Sequence, residues 1–153
     1  MLPSRMTAAP SLAAVLIVRD EARCIVRCLE SLRPWVDRMV VLDTGSTDAT
    51  PDLARDCGAE VHHLAWPGDF SVARNRALDL ARADWNLVLD ADEWIAAGGD
   101  ILRPWLAGPP RLGRVAVHSA FDDHGETRED VTWITRLLPG GARYEGRVHE
   151  QVV

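Results

Sequence analysis

Residues 85–94 read WNLVLDADEW. Asn86, Leu87, Val88 and Leu89 look like a strand running into a core, and Asp90, Asp92 and Glu93 crowd its end. A buried, unpaired carboxylate is costly, so three in one place call for a purpose other than stability. In an open parallel sheet, ligands bind beyond the carboxyl ends of the strands. The stretch is therefore the kind of strand end that builds a site, provided that the segments around it form such a sheet.

Working outward, they do. LAAVLIV (12–18) and RMVVLD (38–43) are continuous apolar runs suited to strands buried on both faces. Between them, Ile25, Leu29 and Leu32 recur at helical spacing within 21–32, and Pro34 ends that helix. Thr50 followed by Pro51 reads as an N-cap and first helical position, and the helix closes at Cys57 with Gly58 in the left-handed position. AEVHHL (59–64) is a third strand. A helix over 69–83 is expected to bury Phe70, Ala73, Ala77, Leu80 and Ala81. Four strands alternating with three helices predict an α/β fold, a three-layer sandwich with parallel strands and right-handed crossovers. After residue 108 the pattern changes: 114–121, 130–138 and 142–153 read as a mixed or antiparallel β extension, with 122–130 as a solvated hairpin loop.

Composition narrows the function classes. The 153 residues are enough for one domain with a real core. Residues 1–11 read as a disordered lead-in without the apolar run of a signal peptide, and no stretch is long enough to span a membrane, so the expected location is cytoplasmic. The net charge of −6 argues against nucleic acid as a partner. Every one of the 17 basic residues is Arg, which excludes chemistry that needs a catalytic lysine. Cys24, Cys28 and Cys57 lack zinc-type spacing and read as reduced thiols.

Three polar clusters fall at strand ends: Arg19–Glu21, Asp43 with TGSTD behind it, and DADE at 90–93. The chain therefore brings Asp43, Asp90 and Asp92 towards one rim. Mutual repulsion calls for positive charge between them. Arg74 and Arg76 on the third helix are one source; a divalent cation, which favours oxygen ligands, is the other. Asp43 before TGST also suits the simpler role of capping a turn, and Trp94 is expected in the core rather than as a sugar-stacking platform.

VLIVRDEARCIVRCLESL, MVVLDTGSTDAT, DFSVARNRALDLARADWNLVLDADEW and YEGRVHEQV together resemble glycosyltransferase family 2, closest to its bacterial lipopolysaccharide-core β-glucosyltransferase branch. The resemblance covers about residues 12–152 and implies a GT-A fold: a Rossmann-like, mainly parallel sheet with a C-terminal mixed or antiparallel β extension. It implies a single domain over 12–153, shortened on the acceptor side relative to family members. It also implies inverting sugar transfer from a nucleotide-sugar, a UDP-sugar foremost, to a glycan or lipid-linked hydroxyl, assisted by Mg²⁺ or Mn²⁺. Carried over by position, Val18, Arg19 and Glu21 line the nucleotide pocket. Asp43 holds the nucleobase, Arg74 lies on the donor side, Asp90 faces the ribose or a metal-bound water, and Asp92 ligates the metal. Asp20 departs from the asparagine that the family often has there.

Inversion needs a base on the far face of the sugar. Glu150 is the first candidate, with Asp122 and Asp123 behind it. His149 would be a third metal ligand beside Asp90 and Asp92, or a contact to the diphosphate. Cell-envelope biosynthesis is the expected setting, with peripheral membrane or subunit association. Two readings compete: a module that holds nucleotide-sugar or assembles with a partner without turnover, and a haloacid-dehalogenase-type phosphatase suggested by LVLDAD. The second lacks the Lys and the early aspartate of that class.

Overall fold

A computed structural model describes residues 8–153. Its element order is β1 (Leu12–Val18), α1 (Ile25–Leu32), β2 (Arg38–Asp43), α2 (Thr50–Asp56), β3 (Glu60–His63), α3 (Phe70–Ala81), β4 (Trp85–Val88), a 3₁₀ turn at Gly99–Ile101 continuing into α4 (Leu102–Leu106), β5 (Gly113–Asp123), β6 (Glu126–Pro139), β7 (Tyr144–Glu145) and β8 (Gln151–Val152). The main sheet has the order β3-β2-β1-β4-β6-β5. The first four strands are parallel, and β6 joins β4 antiparallel through Trp85↔Pro139, Asn86↔Leu138 and Leu87↔Leu137.

Side-chain alternation along the central strands splits the core in two. Leu12, Ala14, Leu16 and Val18 face α1 and α2. Ala13 and Val15 face α3 through Ala77, Leu78 and Ala81. Leu12, Leu16, Ile25, Leu29 and Leu32 are fully buried, each contributing about 1.5–3 kcal/mol by leaving water.

Several expectations need correction. Ser11 is anchored: its N–H and hydroxyl donate to Asp84 at 2.8 and 2.9 Å. The rest of the lead-in expectation, for residues 1–7, lies outside the described residues. Thr50 lies inside α2, not at its cap; Asp48 accepts its N–H at 2.9 Å, while Thr50 accepts from Glu21 N–H. Phe70 is 40% exposed because it stands at the first position of α3, clear of the sheet, where it packs edge-on against Trp66 at 4.8 Å. The supposed loop at 122–130 is mostly strand. Only His124 and Gly125 turn, both at positive φ (56° and 89°), the conformation that a two-residue hairpin turn demands. The 142–153 segment is no continuous strand but two short strands paired to each other around Gly146, whose φ is 102°.

Candidate functional site

The rim at the carboxyl ends of β1, β2 and β4 gathers the strand-end carboxylates, on two different faces. Asp43 pairs with Val18 across β1–β2, so its side chain shares the α1/α2 face. Asp90 falls two positions beyond Val88 and turns to α3. With β1 between them, their backbones stand roughly 10 Å apart, two strand spacings.

Asp43 is 3% exposed. It accepts Gly45 N–H at 3.3 Å and Ser46 N–H at 3.2 Å, and meets His63 Nδ1 at 3.3 Å. Gly45 at φ 116° allows the loop to fold back onto the carboxylate. Burial pushes the Asp43 carboxyl up, but these hydrogen bonds from Ser46 and Gly45 and from His63 hold it below the usual range. In this structure Asp43 serves its own turn. The neighbouring loop is laced to it: Asp20, at φ 53°, accepts Thr47 N–H at 2.7 Å, and its own N–H donates to Ser46 Oγ at 2.9 Å. Val18 is buried; Arg19 is exposed and pairs with Asp20 at 4.0 Å; Glu21 accepts from the Cys24 thiol at 3.2 Å.

Asp90 sits in a chain of ion pairs. Arg74 Nη2 donates to Asp90 at 2.8 Å, and Arg74 Nε donates to Glu150 at 3.0 Å. Arg136 Nη2 donates to Asp90 at 2.8 Å and to Glu93 at 2.5 Å. Glu93 in turn accepts the Asp90 N–H at 2.9 Å. Four parts of the chain meet here: α3, the turn after β4, β6 and the segment before β8. Burial would raise Asp90, yet the two guanidiniums win and hold it below the ordinary aspartate value. Burial disfavours the charge on Arg74 and Arg136, but Asp90, joined by Glu93 at Arg136, pushes both up. Arg74 Nη1, Arg136 Nε and the Tyr144 hydroxyl are buried without a partner among the described residues.

This geometry revises the expected roles. Arg74 is 8% exposed and is held between Asp90 and Glu150. Arg76 is exposed and leaves the rim to Arg74. Asp92 is exposed and forms no hydrogen bond or ion pair among the described residues. The expected metal set of Asp90, Asp92 and His149 is not assembled: no group of three or more His, Cys, Asp or Glu side chains gathers among the described residues. His149, at φ 59°, turns outward and is exposed. Asp122 and Asp123 are not brought to the rim by the strands. Asp122 accepts Gly125 N–H at 2.7 Å and Asp123 pairs with Arg128 at 2.9 Å, in a ribbon tip that stands about 25 Å beyond the rim at 3.3 Å per residue. Trp94 is 44% exposed, outside the core, with the Arg27 guanidinium 3.4 Å from its ring centroid.

Arg136 and Glu93 were missed as site residues. Arg136 had a signal: on a strand over 130–138 it shares a face with Ile134 and Leu138, and a charged residue on an inward face needs a partner. The cysteines are free; burial pushes Cys28 up to about 12 beneath the Asp90 carbonyl.

A mostly parallel, Rossmann-like sheet with antiparallel strands on its β4 side, and acidic residues at its carboxyl rim, is the GT-A class of fold. Residues 13–138 match the family model described as Glycosyl transferase family 2, and the chain belongs to that family. A TPR repeat-containing protein of Synechococcus elongatus is 51% identical over 90 residues, 59% of this chain and 21% of that protein. The glycosyltransferase SunS of Bacillus subtilis is 35% identical over 86 residues, 54% of this chain and 20% of that protein. The chain thus spans about a fifth of the length of these curated relatives. Among solved structures, the glucosyl-3-phosphoglycerate synthase of Mycobacterium tuberculosis, in complex with UDP, is similar at TM-score 0.54 and 29% identity, over 67% of this chain and 40% of that one. The same enzyme is also solved with Mn²⁺, UDP and glucosyl-3-phosphoglycerate. The mannosyl-3-phosphoglycerate synthase of Rubrobacter xylanophilus matches at TM-score 0.55 and 27% identity, over 65% and 37% of the chains.

Proposed function

We propose that this chain is the donor-side domain of an inverting glycosyltransferase that takes a nucleotide diphosphate sugar, a UDP-sugar foremost, and passes its hexosyl group to a hydroxyl acceptor. The observation that carries this reading is the contrast within the DAD triplet of a family 2 domain. Asp90 is immobilised by Arg74 and Arg136, whereas Asp92, two residues on, is exposed and unpaired at the rim. A free carboxylate beside a fixed one suits Mg²⁺ or Mn²⁺, which needs one or two carboxylates and takes its other ligands from substrate phosphates and water. Asp92 would hold that ion, which when bound neutralises charge on the diphosphate leaving group. Arg74 and Arg136 keep Asp90 ionised and oriented, and Glu93 fixes the turn that presents Asp92. Support for the donor comes from the UDP and Mn²⁺ of the mycobacterial relative's structures.

Glu150 is the proposed base; Arg74 engages its Oε1, which lowers its basicity and leaves Oε2 to take the acceptor's proton. That pairing favours a second reading, a domain that binds nucleotide-sugar without turnover. The acceptor is proposed to be a glycan or lipid-linked hydroxyl of the cell envelope, as in the lipopolysaccharide-core branch, met at the cytoplasmic face. No described helix is long and apolar enough to cross a membrane.

Calorimetry with UDP tests the proposal. Mn²⁺ is expected to tighten UDP binding at least tenfold, and Asp92→Asn to abolish that gain with the fold intact. Equal UDP affinity with and without Mn²⁺, or an undiminished gain in Asp92→Asn, overturns the role of Asp92. Among UDP-, GDP- and dTDP-sugars, UDP-sugars are expected to raise the melting temperature most. Glu150→Gln is expected to retain UDP binding and lose transfer; retained transfer removes Glu150 as the base.

A further inference from the structure

Strand β5 is the open edge of the six-stranded sheet, eleven residues from Gly113 to Asp123. Among the described residues, beyond β4 it is paired only to β6, so the two form a ribbon projecting past the rim. Two-stranded ribbons are marginal alone, and a long, flat edge invites another strand. This ribbon leaves apolar side chains open on both faces: Phe121 is 50% exposed, Val131 47% and Trp133 57%. The span Val115–Phe121 contains no proline, and its single ionisable residue is His118. The register shift that interrupts the ladder lies at Gly113/Arg114, below this span.

The sequence of the edge is complementary to itself. Read antiparallel about His118, RVAVHSAFD (114–122) sets Arg114 opposite Asp122, Val115 opposite Phe121, Ala116 opposite Ala120, and Val117 opposite Ser119. Directly opposed residues share a face, so each is a contact pair: two opposite-charge pairs at the ends and aliphatic–aromatic pairs inside them. Arg114 already donates to the Trp133 carbonyl at 2.8 Å and Asp122 accepts Gly125 N–H at 2.7 Å, and each keeps unused donors or lone pairs. We infer that two copies of this chain join β5 to β5 antiparallel about a two-fold axis at His118, with Arg114 against the partner's Asp122. Such an isologous edge closes on itself, converts two ribbons into one four-stranded sheet, and removes the open edge. The two domain bodies, attached at Gly113 of each copy, lie at opposite ends of the joined strands, about ten residues or roughly 33 Å apart.

Sedimentation equilibrium of the full chain tests this. A concentration-dependent mass approaching twice that of one chain is expected. Arg114→Asp and Asp122→Arg each place like charges opposite one another twice per dimer and are expected to weaken association about tenfold, with the circular dichroism spectrum unchanged. The double swap, Arg114→Asp with Asp122→Arg, is expected to restore it. Hydrogen exchange of the unsubstituted chain gives an independent reading: the outward N–H groups between Val115 and Phe121 should be protected when concentrated and released on dilution. A monomer at all concentrations overturns the inference, as does a dimer that the single reversals do not weaken or the swap does not rescue, or β5 amides that ignore dilution.

Discussion

Asp43 and Asp90 stand near the tips of parallel strands on one rim, and the molecule holds them in opposite ways. Asp43 is satisfied mainly by the next three residues of its own chain, through neutral N–H groups. Asp90 is satisfied by guanidiniums brought from α3 and from β6, sixteen and forty-six residues away. The first arrangement forms with its loop; the second exists only when the whole sheet is assembled. A carboxylate neutralised locally leaves the rest of the rim indifferent to it. One neutralised by distant charges ties the rim to the fold.

The sharpest way to break this contrast is Asp90→Ala, which takes one of two carboxylate partners from each of two arginines that are 8% exposed, leaving Glu150 to Arg74 and Glu93 to Arg136. It is expected to cost about 3 kcal/mol in urea unfolding, the lower end for a broken buried pair because the Asp90 side chain itself is 43% exposed. Asp43→Ala removes a turn cap and the His63 contact and should cost about 1–2 kcal/mol. A larger loss at Asp43 than at Asp90 would reverse the comparison. Acid is a gentler probe. Both carboxyls titrate below their ordinary value, so their contribution is complete above about pH 5 and drains away as pH falls through the ordinary aspartate value of about 3.9 towards the lowered folded-state values. The urea midpoint should hold from pH 7 to about 5 and then fall, less steeply in either Asp→Asn variant. Salt gives the smallest effect and separates the two sites. Raising NaCl to about 1 M should narrow the gap between the chain and its Asp90→Ala variant by a few tenths of a kcal/mol and leave the Asp43→Ala gap unchanged.

The same contrast explains what could be read from the sequence. The parallel strands were legible because a strand covered on both faces must be apolar at every position, as LAAVLIV is. The strand-end position of Asp43, Asp90 and Asp92 followed from that alternation. The partners of Asp90 did not, because Arg136 arrives on an antiparallel strand whose place beside β4 no local pattern specifies. Glu93 stood in plain view in DADEW, yet its tasks, the 2.5 Å contact with Arg136 and the hydrogen bond from the Asp90 N–H, appear only in the folded chain. Thr50 was misplaced by a single residue because Asp48 competes for the capping role. The ribbon turn at His124–Gly125 was hidden inside an acidic stretch, DDHGETRED, whose composition mimics a loop.

Asn75 adjoins Arg74 on α3 and treats Tyr144 as a neighbouring strand would: its amide donates to the Tyr144 carbonyl at 2.9 Å and accepts the Tyr144 N–H at 2.8 Å. One side chain thus imitates a rung of a β-ladder, and the Arg74–Glu150 pair, the Ser71 hydroxyl on the Gly146 carbonyl and the Phe70 N–H on the Arg147 carbonyl also rivet residues 144–150 to the helix. Whatever flexing the domain undergoes, helix and segment travel together as one jaw. Displacement of that segment therefore passes through Arg74 directly to Asp90.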